Sequence, residues 1–116
     1  MTNQFLTINV RNVGKANLLD LEGRLIMGRS IEELKREGNR LLDSGATNLG
    51  VNLAKVSYLD SSGVGALATL WTSAKRAGVR CRFYAVPPRV ATIFKITRLD
   101  TALDFLPDEA SVLADS

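Results

Sequence analysis

Two β-like runs enclose one helical stripe in this chain, and that succession restricts the possible folds more than any other feature. Val64, Leu67, Ala68, Trp71 and Ala74 fall at i, i+3, i+4, i+7 and i+10, the spacing of one apolar helix face. Ahead of them, within Asn48–Leu59, Leu49, Val51 and Leu53 alternate before Lys55 and Val56. Behind them Gly78 ends the helix and Val79–Val86 reads as another strand. Strands separated by a helix cannot form a hairpin, so these two pair in parallel within one sheet.

The flanks extend the pattern. Over residues 4–11, Leu6, Ile8 and Val10 alternate with Thr7, Asn9 and Arg11, as in a half-buried strand. Asn12–Asn17 supplies turn chemistry and Leu18–Gly23 a second strand, so a hairpin opens the chain. Ser30 begins a helix, with Glu33 three residues on completing a capping box. Ile31, Leu34, Gly38, Leu41 and Leu42 then recur on one face, and Ser44-Gly45 closes the helix. Pro87-Pro88 starts a short helix carrying Val90, Ile93 and Phe94. Leu103–Leu106 supplies a last short strand, and Pro107-Asp108-Glu109 the first turn of a C-terminal helix. The expected order is β-β-α-β-α-β-α-(β)-α: an α/β fold with a mixed sheet of four to five strands and about four helices. Residues 1–116 read as a single domain.

Composition narrows the chemistry. The 116 residues include no histidine, which removes the usual general base, triad member and commonest metal ligand together. The single cysteine, Cys81, forms no internal disulfide framework and suits a reducing compartment. No signal peptide or membrane-spanning run is expected, which points to the cytoplasm. The net charge of +3 is spread along the chain. Its densest group, Lys75 to Arg82, straddles a helix end where cations complement the macrodipole, so direct nucleic-acid binding is not expected. Gly63-Val64-Gly65-Ala66-Leu67-Ala68 fits a dinucleotide fingerprint formally, but its glycines fall inside the helix stripe and no acid stands near the end of the next strand. Leu59 stands where a nucleophile elbow needs glycine two before Ser61. No cofactor, metal or catalytic residue is expected.

The segment Val56-Ser57-Tyr58-Leu59-Asp60-Ser61-Ser62-Gly63-Val64-Gly65 lies where the third strand meets the second long helix. Asp60, Ser61 and Ser62 can each accept from the free amides of a helix's first turn, so one reading is a well-capped helix. The other is a modification site. A serine on a strand-to-helix turn is open to a kinase, and a phosphate there adds roughly −1.5 to −2 charges beside the helix's positive end and its unpaired amides. Spacing alone does not choose between Ser61 and Ser62.

Val51 through Gly65 closely resembles the signature of bacterial STAS-domain anti-anti-sigma factors, an apolar strand ending in Asp-Ser-Ser-Gly. The resemblance continues through Glu22-Gly23-Arg24-Leu25 and from Gly78 to Phe94. It implies a STAS-like mixed sheet, with Ser61 as phosphate acceptor, Asp60 and Ser62 shaping the helix start, and Gly63 permitting close approach by a partner. It further implies an anti-sigma factor antagonist that is not an enzyme. Unphosphorylated, the protein would sequester an anti-sigma factor that is itself a serine kinase with a GHKL-type ATPase fold; a PPM-type serine phosphatase would reset it. The loop after the second strand helps bind the kinase in that family, which makes Gly23, Arg24 and Met27 candidate partner contacts, together with Gly65. Many members carry acids in that loop, whereas Arg24 and Arg29 stand here, so the complementary expectation is a partner with an acidic docking face. The alternative within the resemblance is a constitutive STAS subunit of a membrane transport or signalling complex. Trp71 and Cys81 are expected in the core.

Overall fold

The computed structural model describes residues 6–114. They form β1 (Leu6–Val13), β2 (Ala16–Leu25), α1 (Arg29–Asp43), β3 (Asn48–Leu59), α2 (Ser61–Arg76), β4 (Arg80–Tyr84), α3 (Pro88–Ile96), β5 (Phe105–Leu106) and α4 (Glu109–Ala114). The expected start of the first strand at residue 4 lies outside the described residues. The sheet order is β1-β2-β3-β4-β5. Strands β1 and β2 pair antiparallel, and every later pair is parallel. This is the mixed α/β sheet that the element order predicts.

Several boundaries depart from expectation: β2 extends to Leu25, β5 shrinks to Phe105–Leu106, and three others shift for a clear local reason. The opening turn is not six residues but Gly14-Lys15 alone, because Asn12 and Asn17 pair across the ladder and Val13 faces Ala16. Gly14, at φ 59, supplies the left-handed step such a tight turn requires. Ser30 does not cap α1: the N-cap is Gly28, with no side-chain cap bond. Ser30 is buried instead, donating to the Ile26 carbonyl at 2.6 Å and accepting from the Ile26 amide at 2.9 Å. Glu33 pairs with Arg36 rather than reaching back to close a capping box. Strand β4 stops at Tyr84, short of Val86, because Ala85 takes φ 56 and hands its amide to the Pro107 carbonyl.

Strands added always on the same side, through right-handed crossovers, put their helices on one face of the sheet. The packing agrees. Leu34 and Leu41 of α1, Val64, Leu67, Leu70 and Ala74 of α2, and Val90 and Phe94 of α3 share one buried cluster with the inward residues of the sheet. The opposite face has a small cluster, Ala16, Leu18, Tyr84 and Val112, covered by α4.

Strand β3 is the longest and the least regular. Its register against β2 skips twice, between Asp20 and Glu22 and between Gly23 and Arg24, each time with one extra residue on β3. These are β-bulges. They explain why burial past Leu53 runs in threes, with Val56 and Leu59 inward and the two residues before each of them exposed.

Arg11 clamps α4 to the polar side. Its guanidinium bonds Asp20, at 3.0 Å for one of two contacts, and Glu109, at 3.2 Å for one of two. Tyr84 donates its hydroxyl to Glu109 at 3.0 Å, and Asn52 donates to Asp20 at 2.9 Å. Arg11 holds both carboxyls below their ordinary range. Groups with lowered folded values give their full stabilisation above the ordinary carboxylate range and lose it as pH falls through the folded values. Arg11→Ala is therefore expected to cost about 1 kcal/mol at neutral pH, these being half-exposed pairs. The difference from the parent should shrink as pH falls below the ordinary carboxylate range and vanish once both carboxylates are protonated in the folded protein, as read by chemical denaturation; a pH-independent difference would show that Arg11 acts through packing alone.

Candidate functional site

The carboxyl ends of β2, β3 and β4 all open toward one end of the sheet, as parallel pairing requires. Asp60 stands between two of them. It is the N-cap of α2, and its Oδ1 accepts from the Gly63 amide at 2.8 Å. Its Oδ2 accepts from the Met27 amide, in the loop after β2, at 3.0 Å. Its own amide donates to the Leu25 carbonyl at 3.3 Å. One carboxylate thus ties the β2–α1 loop to the start of α2. The Met27 bond is foremost in lowering the Asp60 carboxyl below its ordinary range, with the Gly63 and Ser62 amides adding to it.

Gly63 is where the geometry overturns an expectation. The close approach it permits is to the chain itself, not to a partner: a Cβ at this position would lie 2.2 Å from the Leu25 carbonyl oxygen. Gly63 is buried for that reason.

Ser61 is exposed as the first residue of α2, and Ser62 is half-buried. Because Asp60 already draws on the amides of the first turn, a phosphate on Ser61 would stand beside an anion. Gly65, four residues on, lies on the same helix face as Ser61 and is also exposed, with nothing within 4 Å of an added Cβ.

The partner-contact candidates of β2 sit in the second bulge. Gly23, φ 112, accepts from the Ser57 hydroxyl at 3.2 Å. Arg24 is exposed, in register with Tyr58 of β3. Met27 is 75% exposed although its backbone is held, so an apolar side chain projects from a fixed loop. Tyr58, half-exposed, was not singled out by sequence reasoning. The exposed Ala54-Lys55 pair that breaks the alternation of β3 is the signal that could have found it. Trp71 packs on the core, with its indole donating to Asp104 at 2.9 Å and Lys75 over its ring. Cys81 is buried, which pushes its thiol up to about 12. Among the described residues no cluster of histidine, cysteine or acidic side chains is arranged to hold a metal ion. No helix among them is long and apolar enough to cross a membrane.

Two glycines in one helix give opposite expectations. Gly63→Ala should lower stability by about 3 kcal/mol through a clash with backbone, whereas Gly65→Ala should raise it by up to about 1 kcal/mol. Thermal denaturation distinguishes them, and equal effects would disprove the seat against Leu25. Asp60→Ala should cost about 1 kcal/mol and speed hydrogen exchange at the Met27 amide. Loss of stability with Met27 exchange unchanged would reduce Asp60 to a helix cap.

The family described as STAS domain matches residues 7–112. No curated protein matches the chain in sequence. Among solved structures, an anti-sigma factor antagonist from Mycobacterium paratuberculosis superposes with a TM-score of 0.82 at 17% identity, over 95% of this chain and 92% of the other. SpoIIAA, the Bacillus cell fate determinant, in its phosphorylated form gives 0.73 at 19% identity, over 95% and 100%. A sulfate transporter family protein from Wolinella succinogenes gives 0.76 at 16% identity, over 88% and 84%. At these identities the likeness is one of fold.

Proposed function

The chain belongs to the STAS domain family, and from that premise we propose that it is an anti-sigma factor antagonist, a protein-binding switch set by phosphorylation of Ser61. The observation that carries the reading is the placement of Ser61: exposed, at the first position of a helix whose cap is supplied by its neighbour. A group can be added there without breaking any bond that holds the fold. Residues 1–116 act as one such domain, which binds and does not catalyse.

Unphosphorylated, the protein sequesters an anti-sigma factor that is also a GHKL-type serine kinase, and a PPM-type phosphatase returns it to that state. The contact surface joins Ser61 and Gly65 on α2 to Met27 and Arg24 at the end of β2, with Asp60 holding the two parts in register. Arg24 and Arg29, both exposed beside Met27, favour a partner with acidic residues opposite. A phosphate trapped without a partner in such an interface costs about 3 kcal/mol or more, which is over a hundredfold in affinity. Two structural neighbours support the reading by name: one is an anti-sigma factor antagonist and the other is described in a phosphorylated form.

The likeness to a sulfate transporter family protein favours one alternative, a constitutive subunit of a membrane transport or signalling complex. Intact-mass and fragment-ion analysis of the protein from its native cells separates the two. One phosphate on Ser61, removable by phosphatase, is expected. Ser61→Ala should keep the fold and bind the kinase partner persistently, while Ser61→Asp should bind it at least tenfold more weakly. Equal affinity of the two variants, with no phosphate under any growth condition, would transfer the assignment to the constitutive subunit.

A further inference from the structure

Strand β3 outruns its neighbour. It pairs with β2 as far as Leu59, but β4 pairs with it only over Asn48–Asn52. From residue 53 onward one edge of β3 carries a strand and the other does not. On that second side the chain leaves β4 through the left-handed Ala85 and turns into Pro87-Pro88. An open cleft of about 520 Å³ results, with β3 residues 54–57 as one wall and Pro87, Pro88 and Arg89 as the other. Val56, buried, forms its floor, while Lys55 and Arg89 are exposed at its rim. The lining holds two cations and no acid.

We propose that this cleft receives a short, extended, acidic segment of a partner protein, which adds to the open edge of β3 as a strand. Backbone groups along an open edge supply the pairing, and alternate side chains of the incoming segment face Lys55 and Arg89. The Asn52 side chain takes the Ala54 amide at 3.0 Å, so the added ladder begins at residue 55 and runs about five residues, roughly 17 Å. The second bulge, at Ser57, falls within this run, so the incoming strand must follow the local twist of β3, which limits the pairing to a short segment. A second copy of this chain is disfavoured on charge, since two such clefts would set Lys55 and Arg89 against their counterparts. The cleft's lining does not include Ser61, and pairing along its edge ends at Leu59, two residues before it.

Fluorescence anisotropy and amide chemical shifts test this with three labelled eight-residue peptides. They are an alternating valine–glutamate peptide, its valine–lysine counterpart, and the valine–glutamate peptide N-methylated at every second amide. The acidic peptide should bind about tenfold or more tightly than the basic one, two screened ion pairs being at stake. N-methylation should weaken it by about tenfold or more, through lost edge hydrogen bonds. Shifts should centre on residues 55–59 and 87–89. The double variant Lys55→Glu, Arg89→Glu should keep the parent's circular dichroism and reverse the charge preference. Ser61→Ala should bind the acidic peptide as the parent does, so a failed phosphorylation reading leaves this result standing. Equal binding of acidic and basic peptides, indifference to N-methylation, shifts centred elsewhere, or self-association that the peptide competes away would each overturn the proposal.

Discussion

The start of α2 rests directly on backbone. Gly63 has no side chain to keep the helix away from the Leu25 carbonyl, and any Cβ there would fall well inside van der Waals contact. That short distance lets the Asp60 amide reach the same carbonyl and brings the Asp60 carboxylate within hydrogen-bond range of Met27. A longer seat would leave the carboxylate as an ordinary cap. It would also remove the tie of the loop after β2 to α2, leaving that loop held by the Ser30–Ile26 bonds alone, since it enters α1 through Gly28 with no side-chain cap. The order at this end of the sheet therefore descends from one missing methyl group.

The rest of the architecture supports that end without crowding it. Because the sheet is wound in sequence order, α1, α2 and α3 share one face and one hydrophobic cluster. The other face is polar apart from the patch under α4, where Arg11, Asp20, Glu109 and Tyr84 secure the last helix. The carboxyl ends of β2 and β3 are anchored by the buried Leu25 and Leu59, and that of β4 by Tyr84. Those ends remain available for contact, and β3 projects past β4 because β4 is cut short at Ala85.

Features with a strong local rule were legible in the sequence. The stripe from Val64 to Ala74 demanded a helix, the period-two run from Leu6 a strand, and the intervening helices a parallel sheet. Asp60 was marked by capping preference, and the burial of Cys81 and the packing of a half-buried Trp71 on the core by the runs in which they sit. Features decided by tertiary contact were not. Ser30 has the form of a capping residue, but the Ile26 backbone claims its hydroxyl. Gly63 reads as room for a partner until the Leu25 carbonyl is found against it. The bulges of β3 left a trace, the unpaired rhythm of Ala54 and Lys55, which means little until the register against β2 is known. The clamp on α4 joins residues 98 apart, and nothing near Arg11 announces Glu109.

The tie between Asp60 and residue 27 runs through a backbone amide. Any amino acid except proline presents that group, so the loop's position is indifferent to which side chain it displays. Residue 27 is thus a place where the displayed surface can change, apolar to polar or charged, while the backbone tie that sets the loop stays the same.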